Sequence, residues 1–216
     1  MIGFLLPAGA LALAYGAVWT LRPVSWARSA IKTGSTVLLA LAAAWHGLPI
    51  LAMALGLGAV GDFFLSRDPK SGFLPGLAAF ALGHAIYIAV LWPLAGSVPV
   101  VPVLVLAAVS AVLLVRLWPV LGDLRLPVAI YAGLSVVLGA LALALPDAAV
   151  WITAGALAFI ASDIVLAIEL FLLPPESRWK PLFARGLWAL YWLGQAAILW
   201  GMKTAASGID AAPGFA

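Results

Sequence analysis

The chain has 216 residues, 66% of them hydrophobic and 9% charged, with a formal net charge of +3 and no cysteine. A soluble domain is nearer half apolar and a quarter charged, so a mean hydropathy of +1.18 excludes a soluble globular protein and leaves almost no room for a separate soluble domain. The missing cysteines exclude disulfides and thiolate metal sites.

Every backbone polar group in hydrocarbon needs an internal partner, so only helices or a closed barrel can span a bilayer. The apolar runs are near-continuous and lack period-2 alternation, which selects helices. Eight spans are expected, at roughly 2–21, 31–46, 48–66, 73–92, 98–118, 126–145, 148–172 and 182–202. The first has no positive segment before it and reads as a retained helix rather than a cleaved signal. The connections are short and carry helix breakers: Arg22-Pro23, the run Arg67-Asp68-Pro69-Lys70-Ser71-Gly72, Pro93 to Pro99, Gly122-Asp123, Pro146-Asp147 and Pro174-Pro175-Glu176.

Positive charge falls on alternate connections. Arg22, Arg28 and Lys32 follow the first span, and Arg67 and Lys70 the third. Arg116 and Arg125 flank the connection after the fifth, and Arg178, Lys180 and Arg185 follow the seventh. Lys203 in the tail is the only one of the 11 Lys and Arg outside these connections. The positive-inside rule places the odd connections in the cytoplasm and both termini on the other side. The expected architecture is an all-α polytopic membrane bundle: one transmembrane domain over 1–203 and a short polar tail over 204–216. The Ala-, Leu- and Gly-rich composition fits a bacterial inner membrane.

Within these runs stand a few polar groups. An ionisable side chain at membrane depth is expensive and marks a functional site by default. Asp62 lies in Gly61-Asp62-Phe63-Phe64-Leu65, His84 and Tyr87 in the fourth span, Asp163 in the seventh, and Tyr191 and Gln195 in the eighth. At 1.5 Å per residue, Asp62 is roughly 7 Å in from the cytoplasmic end, Asp163 and Tyr191 roughly 13 Å, His84 roughly 16 Å and Gln195 roughly 19 Å. Gly76, Phe80, Gly83, His84 and Tyr87 form one helical stripe. Gly72/Gly76 and Ala79/Gly83 are small-residue pairs that let helices approach closely. The segments around Asp62 and Asp163 resemble each other faintly, as two four-helix repeats would. Glu169 and Glu176 read as solvated groups near the cytoplasmic end, and His46 as a peripheral residue. Asp62, near the inner interface, has Lys32 and Arg67 as candidate partners.

There is no G-x-S-x-G elbow, Walker loop or H-E-x-x-H motif. Two histidines make a multi-histidine zinc site unexpected, and Asp62, His84 and Asp163 carry no metal-ligand spacing; neither metal nor cofactor is expected. Taken together, Lys32, Gly-Asp-Phe-Phe-Leu at 61–65, Phe73-x-x-Gly-x-x-x-Phe-x-x-Gly-His-x-x-Tyr at 73–87, Ser162-Asp163 and Tyr191-x-x-x-Gln195 resemble the YhhN-like lysoplasmalogenase family of membrane proteins. The resemblance covers about 30–200. One departure is Lys-Thr-Gly at 32–34, where the family often has Lys-Pro.

The resemblance implies hydrolysis of the vinyl ether bond of lysoplasmalogens (lysoplasmenylcholine or lysoplasmenylethanolamine), giving a fatty aldehyde and a glycerophospho-base. Such a reaction needs an acid to protonate the β-carbon, an anion to stabilise the oxocarbenium ion and a held water. Two carboxylates in different environments can divide these roles. Asp163 is the expected donor and Asp62 the stabilising anion, roles that could be exchanged, and His84 would relay protons or fix the water. Tyr87, Tyr191 and Gln195 would position the substrate, with Lys32 and Arg67 toward its phosphate. The expected partners are a lysophospholipid and the bilayer, with no nucleic acid; the oligomeric state is open. A proton-coupled transporter is the alternative, since buried Asp and His also make proton relays. A structural or assembly protein would instead have its polar groups all paired, leaving no cavity.

Overall fold

The computed structural model describes residues 2–67, 69–174 and 176–210. Of the sequence features above, Met1, Asp68, Pro175 and the 211–216 part of the tail lie outside these residues, as does the side chain of Lys70. The described residues are helical and contain no strand. The α-helices are α1 (Ile2–Ala14), α2 (Trp26–Trp45), α3 (Pro49–Leu65), α4 (Pro69–Leu91), α5 (Val100–Leu117), α6 (Arg125–Leu143), α7 (Val150–Phe171) and α8 (Lys180–Asp210).

Local sequence explains most of the boundaries. Ser25 caps α2, its Oγ accepting from the Arg28 amide at 3.2 Å; this N-cap bond satisfies one of the orphan donors of the first turn. The helix therefore starts before 31, and Arg28 and Lys32 lie inside it. Pro49 opens α3, where a missing amide costs nothing. Gly47 between α2 and α3 has φ +73°, a conformation that a side chain rarely adopts. α1 ends in a π-helical turn, Tyr15–Trp19, and α8 continues through Asp210.

Five stretches are long and apolar enough to cross a membrane: Ser71–Leu94, Val100–Leu117, Gly122–Leu143, Asp147–Phe171 and Lys180–Ala205. Gly3–Trp19 and Pro49–Leu65 are shorter apolar helices. The first half of α2 is diluted by Arg28, Ser29, Lys32, Ser35 and Thr36.

Contacts run round a ring α2, α3, α4, α6, α7, α8, closed by α8 against α2; α1 packs on α2, its π-helical turn also meeting α8, and α5 lies outside the ring, mainly against α6. Accordingly α5 exposes Val101, Leu104, Val105, Val112 and Val115, a surface suited to lipid. Lipid tails are as apolar as leucine, so close backbone approach, rather than hydrophobic burial, joins helices here. Glycine provides it. A Cβ on Gly72 would stand 2.2 Å from the Phe64 carbonyl, and one on Gly61 2.5 Å from the Phe80 ring, where α3 meets α4.

The α7–α8 seam is tighter still: a Cβ on Gly155 would fall 2.6 Å from the Gly194 carbonyl, and one on Gly194 2.8 Å from that of Gly155. Gly→Ala within a helix ordinarily gains about 0.5–1 kcal/mol, but overpacking costs about 1–3 kcal/mol, and backbone cannot yield as a side chain does. Gly155→Ala is therefore expected to lower the melting temperature in detergent. Gly56→Ala, with nothing within 4 Å of its new methyl, is expected to raise it.

Candidate active site

Asp62 sits near the end of α3, 1% exposed. Lys32 and Thr36 are one turn apart on α2 and so share a face. Lys32 Nζ lies 3.1 Å from Asp62 Oδ1. Thr36 Oγ1 donates to Oδ2 at 2.7 Å, and Tyr191 OH, from α8, donates to the same oxygen at 2.9 Å. A carboxylate only accepts, and here three donors from two helices converge on it. One turn before Asp62, a Cβ on Gly58 would lie 3.1 Å from the Tyr191 hydroxyl; glycine leaves that oxygen its place.

Asp163, on α7, is differently held. Its Oδ2 lies 3.4 Å from His84 Nε2, and the Tyr131 hydroxyl of α6 also interacts with its carboxyl group. His84 is fully buried, its ring between those of Tyr131 and Phe159, with centroids 4.8 and 4.7 Å away. His84 Nδ1 lies 3.0 Å from the Phe80 carbonyl oxygen. That oxygen can only accept, which assigns the hydrogen to Nδ1. Nε2 then faces Asp163 in a geometry that lets one proton bridge the two. Ser135 Oγ stands 3.4 Å from the same nitrogen.

Both aspartates line one cavity of about 390 Å³, within the usual range for small-molecule sites. Its wall comes from the connection after α1, the start of α2, the end of α3, the end of α7 and the start of α8. It therefore lies at the end of the bundle that carries the basic connections. Arg22, Arg28, Arg67 and Lys180 contribute to it. Asp163 also lines two smaller crevices. One, about 50 Å³, lies among α3, α4, α6 and α7 and shares Leu65, Phe80, Leu166 and Leu170 with the main cavity. The other, about 70 Å³, opens among α5, α6 and α7. Apart from Tyr131 and Asp163, the first crevice is lined entirely by apolar side chains. Phe159 fills the space beyond, its ring 5.5 Å from Tyr191 and 6.2 Å from Phe80 and Tyr87.

The site residues expected from sequence divide into groups. Asp62, Lys32 and Tyr191 form one cluster, and His84 with Asp163 another, on a shared cavity. Lys32 is spent on Asp62 and lies over the Tyr15 and Trp188 rings, 6.0 and 5.8 Å from their centroids. Arg67 does not reach Asp62: it lies 4.0 Å over the Trp26 ring and donates to Ser29 Oγ at 3.3 Å. Tyr87 donates to Gln195 Oε1; both are buried and neither lines the cavity. Glu169, expected to be solvated, is instead half-buried in the cavity wall. Among the described residues, no three His, Asp or Glu side chains group as a metal site.

Sequence reasoning missed Thr36, Tyr131, Tyr15 and Trp188. Thr36 was within reach, four residues after Lys32. Tyr131 carried no signal, because nothing in α6 marks the helix as facing His84.

A family model described as the YhhN family matches residues 27–202. The chain belongs to the YhhN family. The matched region contains every residue of both aspartate clusters. Two curated proteins named lysoplasmalogenase, from Mycobacterium bovis and Mycobacterium tuberculosis, are each 38% identical over 170 residues. Each match covers 71% of this chain and 64% of the relative, so it spans less than two thirds of the relatives' length. No solved structure matches the chain.

Proposed function

We propose that this YhhN-family protein is a membrane-embedded hydrolase that cleaves the vinyl ether bond of a lysoplasmalogen. In this reading all eight helices span the bilayer, the basic connections and the cavity mouth face the cytoplasm, and the termini lie opposite. The observation that carries it is that Asp163 borders both the charged cavity and apolar crevices. A lysoplasmalogen has the same layout: a charged head group, one chain, and the scissile bond between them.

The chemistry then assigns the two acids. The proton must reach the β-carbon, which belongs to the chain, so the acid must border the chain crevice. Asp163 does; Asp62 does not. Asp163 gives its proton to the carbon, forming an oxocarbenium ion. Water attacks the adjacent carbon, and its proton passes to the Asp163 carboxylate, with His84 as relay. The hemiacetal collapses to aldehyde and alcohol. Asp62 supplies the anion facing the cation, and Tyr191 and Thr36 fix its orientation. Arg22, Arg28, Arg67 and Lys180 suit the phosphate better than Lys32, which is already paired.

Tyr87 and Gln195 then act on structure rather than substrate. Tyr87→Phe leaves the buried Gln195 oxygen without its donor, at a cost of about 1–3 kcal/mol. The expected result is a lower melting temperature with KM unchanged.

The test is aldehyde release from lysoplasmenylcholine and lysoplasmenylethanolamine by purified protein in detergent. Release by wild type supports the hydrolase. No release from folded protein, together with proton-coupled uptake in liposomes, would replace it with a transporter. Against a transporter stands the end of the cavity at Asp62, Asp163 and Phe80, with Phe159 filling the space beyond.

A further inference from the structure

Three carboxylates line the main cavity, and only two have been given work. Asp62 is held by Lys32, Thr36 and Tyr191, and Asp163 faces His84. The third, Glu169, sits on the same stripe of α7: Ser162, Leu166 and Glu169 follow at i, i+4 and i+7, and all line the cavity. Glu169 Oε2 is buried and has no hydrogen-bond partner. Lys180, Lys32 and Arg28 act on its carboxylate through space, but among the described residues no Lys or Arg nitrogen forms an ion pair with it within 4.0 Å. It lies about 9 Å along the helix from Asp163, toward the mouth.

The same wall carries Arg22, Arg28, Arg67 and Lys180. Arg22 and Arg67 lie over the Trp19 and Trp26 rings, and Arg28 is steadied by a bond from Nε to the Trp19 carbonyl at 3.2 Å. Guanidinium groups held this way suit a phosphate. A site for a bare phosphate gains nothing from a carboxylate with no direct ion pair, which repels the ligand and weakens the pull of the cations near it. A head group with a cation beyond its phosphate needs one. Aromatic faces can also hold an ammonium group, but those of Tyr15 and Trp188 already face Lys32. We propose that Glu169 forms an ammonium subsite, so that the cavity selects zwitterionic phospho-amine head groups over a bare phosphate. The assignment rests on the lipid reading for its class of ligand, but not on turnover.

The experiment therefore uses non-cleavable ligands. Lysolipids with a saturated alkyl ether in place of the vinyl ether bind without reacting, and two are compared: one with a phosphocholine head, one with phosphate alone. Wild type is expected to bind the phosphocholine lipid about 10-fold more tightly, the scale of one partly screened ionic contact. Glu169→Gln should abolish that preference while leaving the phosphate lipid as tight or tighter, and Glu169→Asp should keep part of it. Competition by glycerophosphocholine separates head-group recognition from chain binding. No preference in wild type, no binding of either lipid, or equal weakening of both by Glu169→Gln overturns the subsite. Preference lost in Glu169→Gln, without aldehyde release from vinyl ether lipids by wild type, would retain the subsite and discard the hydrolase.

Discussion

Asp163→Asn is expected to lower kcat for aldehyde release by about 10²- to 10⁴-fold, the usual contribution of a positioned general acid, with KM little changed. The amide has the shape of the carboxyl group and can donate an N–H to His84 Nε2, but it has no acidic proton to give to carbon. Protonation of carbon is the difficult step of vinyl ether hydrolysis, and among the described residues no other acid borders both the head-group cavity and the apolar crevice. The fold should survive. Asp163 is 15% exposed and has two polar neighbours, His84 and Tyr131; the amide keeps an oxygen for the Tyr131 hydroxyl and an N–H for His84, so the substitution strands neither. Binding of a saturated ether lysolipid should also persist, separating lost chemistry from lost binding. If Asp163→Asn turns over like wild type, the acid is not Asp163, and Asp62 takes its place.

The ionisable residues were legible in sequence because their cost in hydrocarbon makes them conspicuous there. Asp62, His84 and Asp163 stand out in runs of Leu, Ala and Phe, and the structure brings all three to one end of the bundle. Tyr87 and His84 do share a helical stripe, but periodicity gives the face and not the neighbour: His84 meets Asp163, whereas Tyr87 meets Gln195. The start of α2 was obscured because Arg28 and Lys32 read as loop charges, although Ser25 offered an N-cap. Lys32 was nonetheless legible as a candidate partner of Asp62, and the structure selects it over Arg67. Glu169 was misread for a related reason. Nearness to a span end suggests water, but whether a helix end is solvated depends on the elements folded over it. Here the segment after α1 and the start of α8 close over that end. The position of α5 outside the ring had no sequence signal, since an apolar span does not reveal which neighbours it packs against.

Lys32→Met is expected to have the largest effect on stability. Breaking a buried ion pair from one side costs about 3–5 kcal/mol, because a charge is left without its counter-ion. Lys32 is 13% exposed and Asp62 1%, so little water reaches the carboxylate in compensation. Thr36 and Tyr191 still donate to Oδ2, but Oδ1 would face a methionine side chain. Adding Asp62→Asn removes the stranded charge and should restore most of the stability, since replacing both members of a buried pair is often nearly neutral. Turnover then separates two meanings of the pair. If Asp62 only ties α2 to α3, the double variant regains activity along with its melting temperature. If Asp62 supplies the anion that stabilises the oxocarbenium ion, stability returns while kcat stays at least about 10²-fold low, the cost of losing one preorganised electrostatic group. The mechanism above requires the second outcome; recovery of both would make the pair a structural tie and leave Asp163 and His84 to carry the reaction.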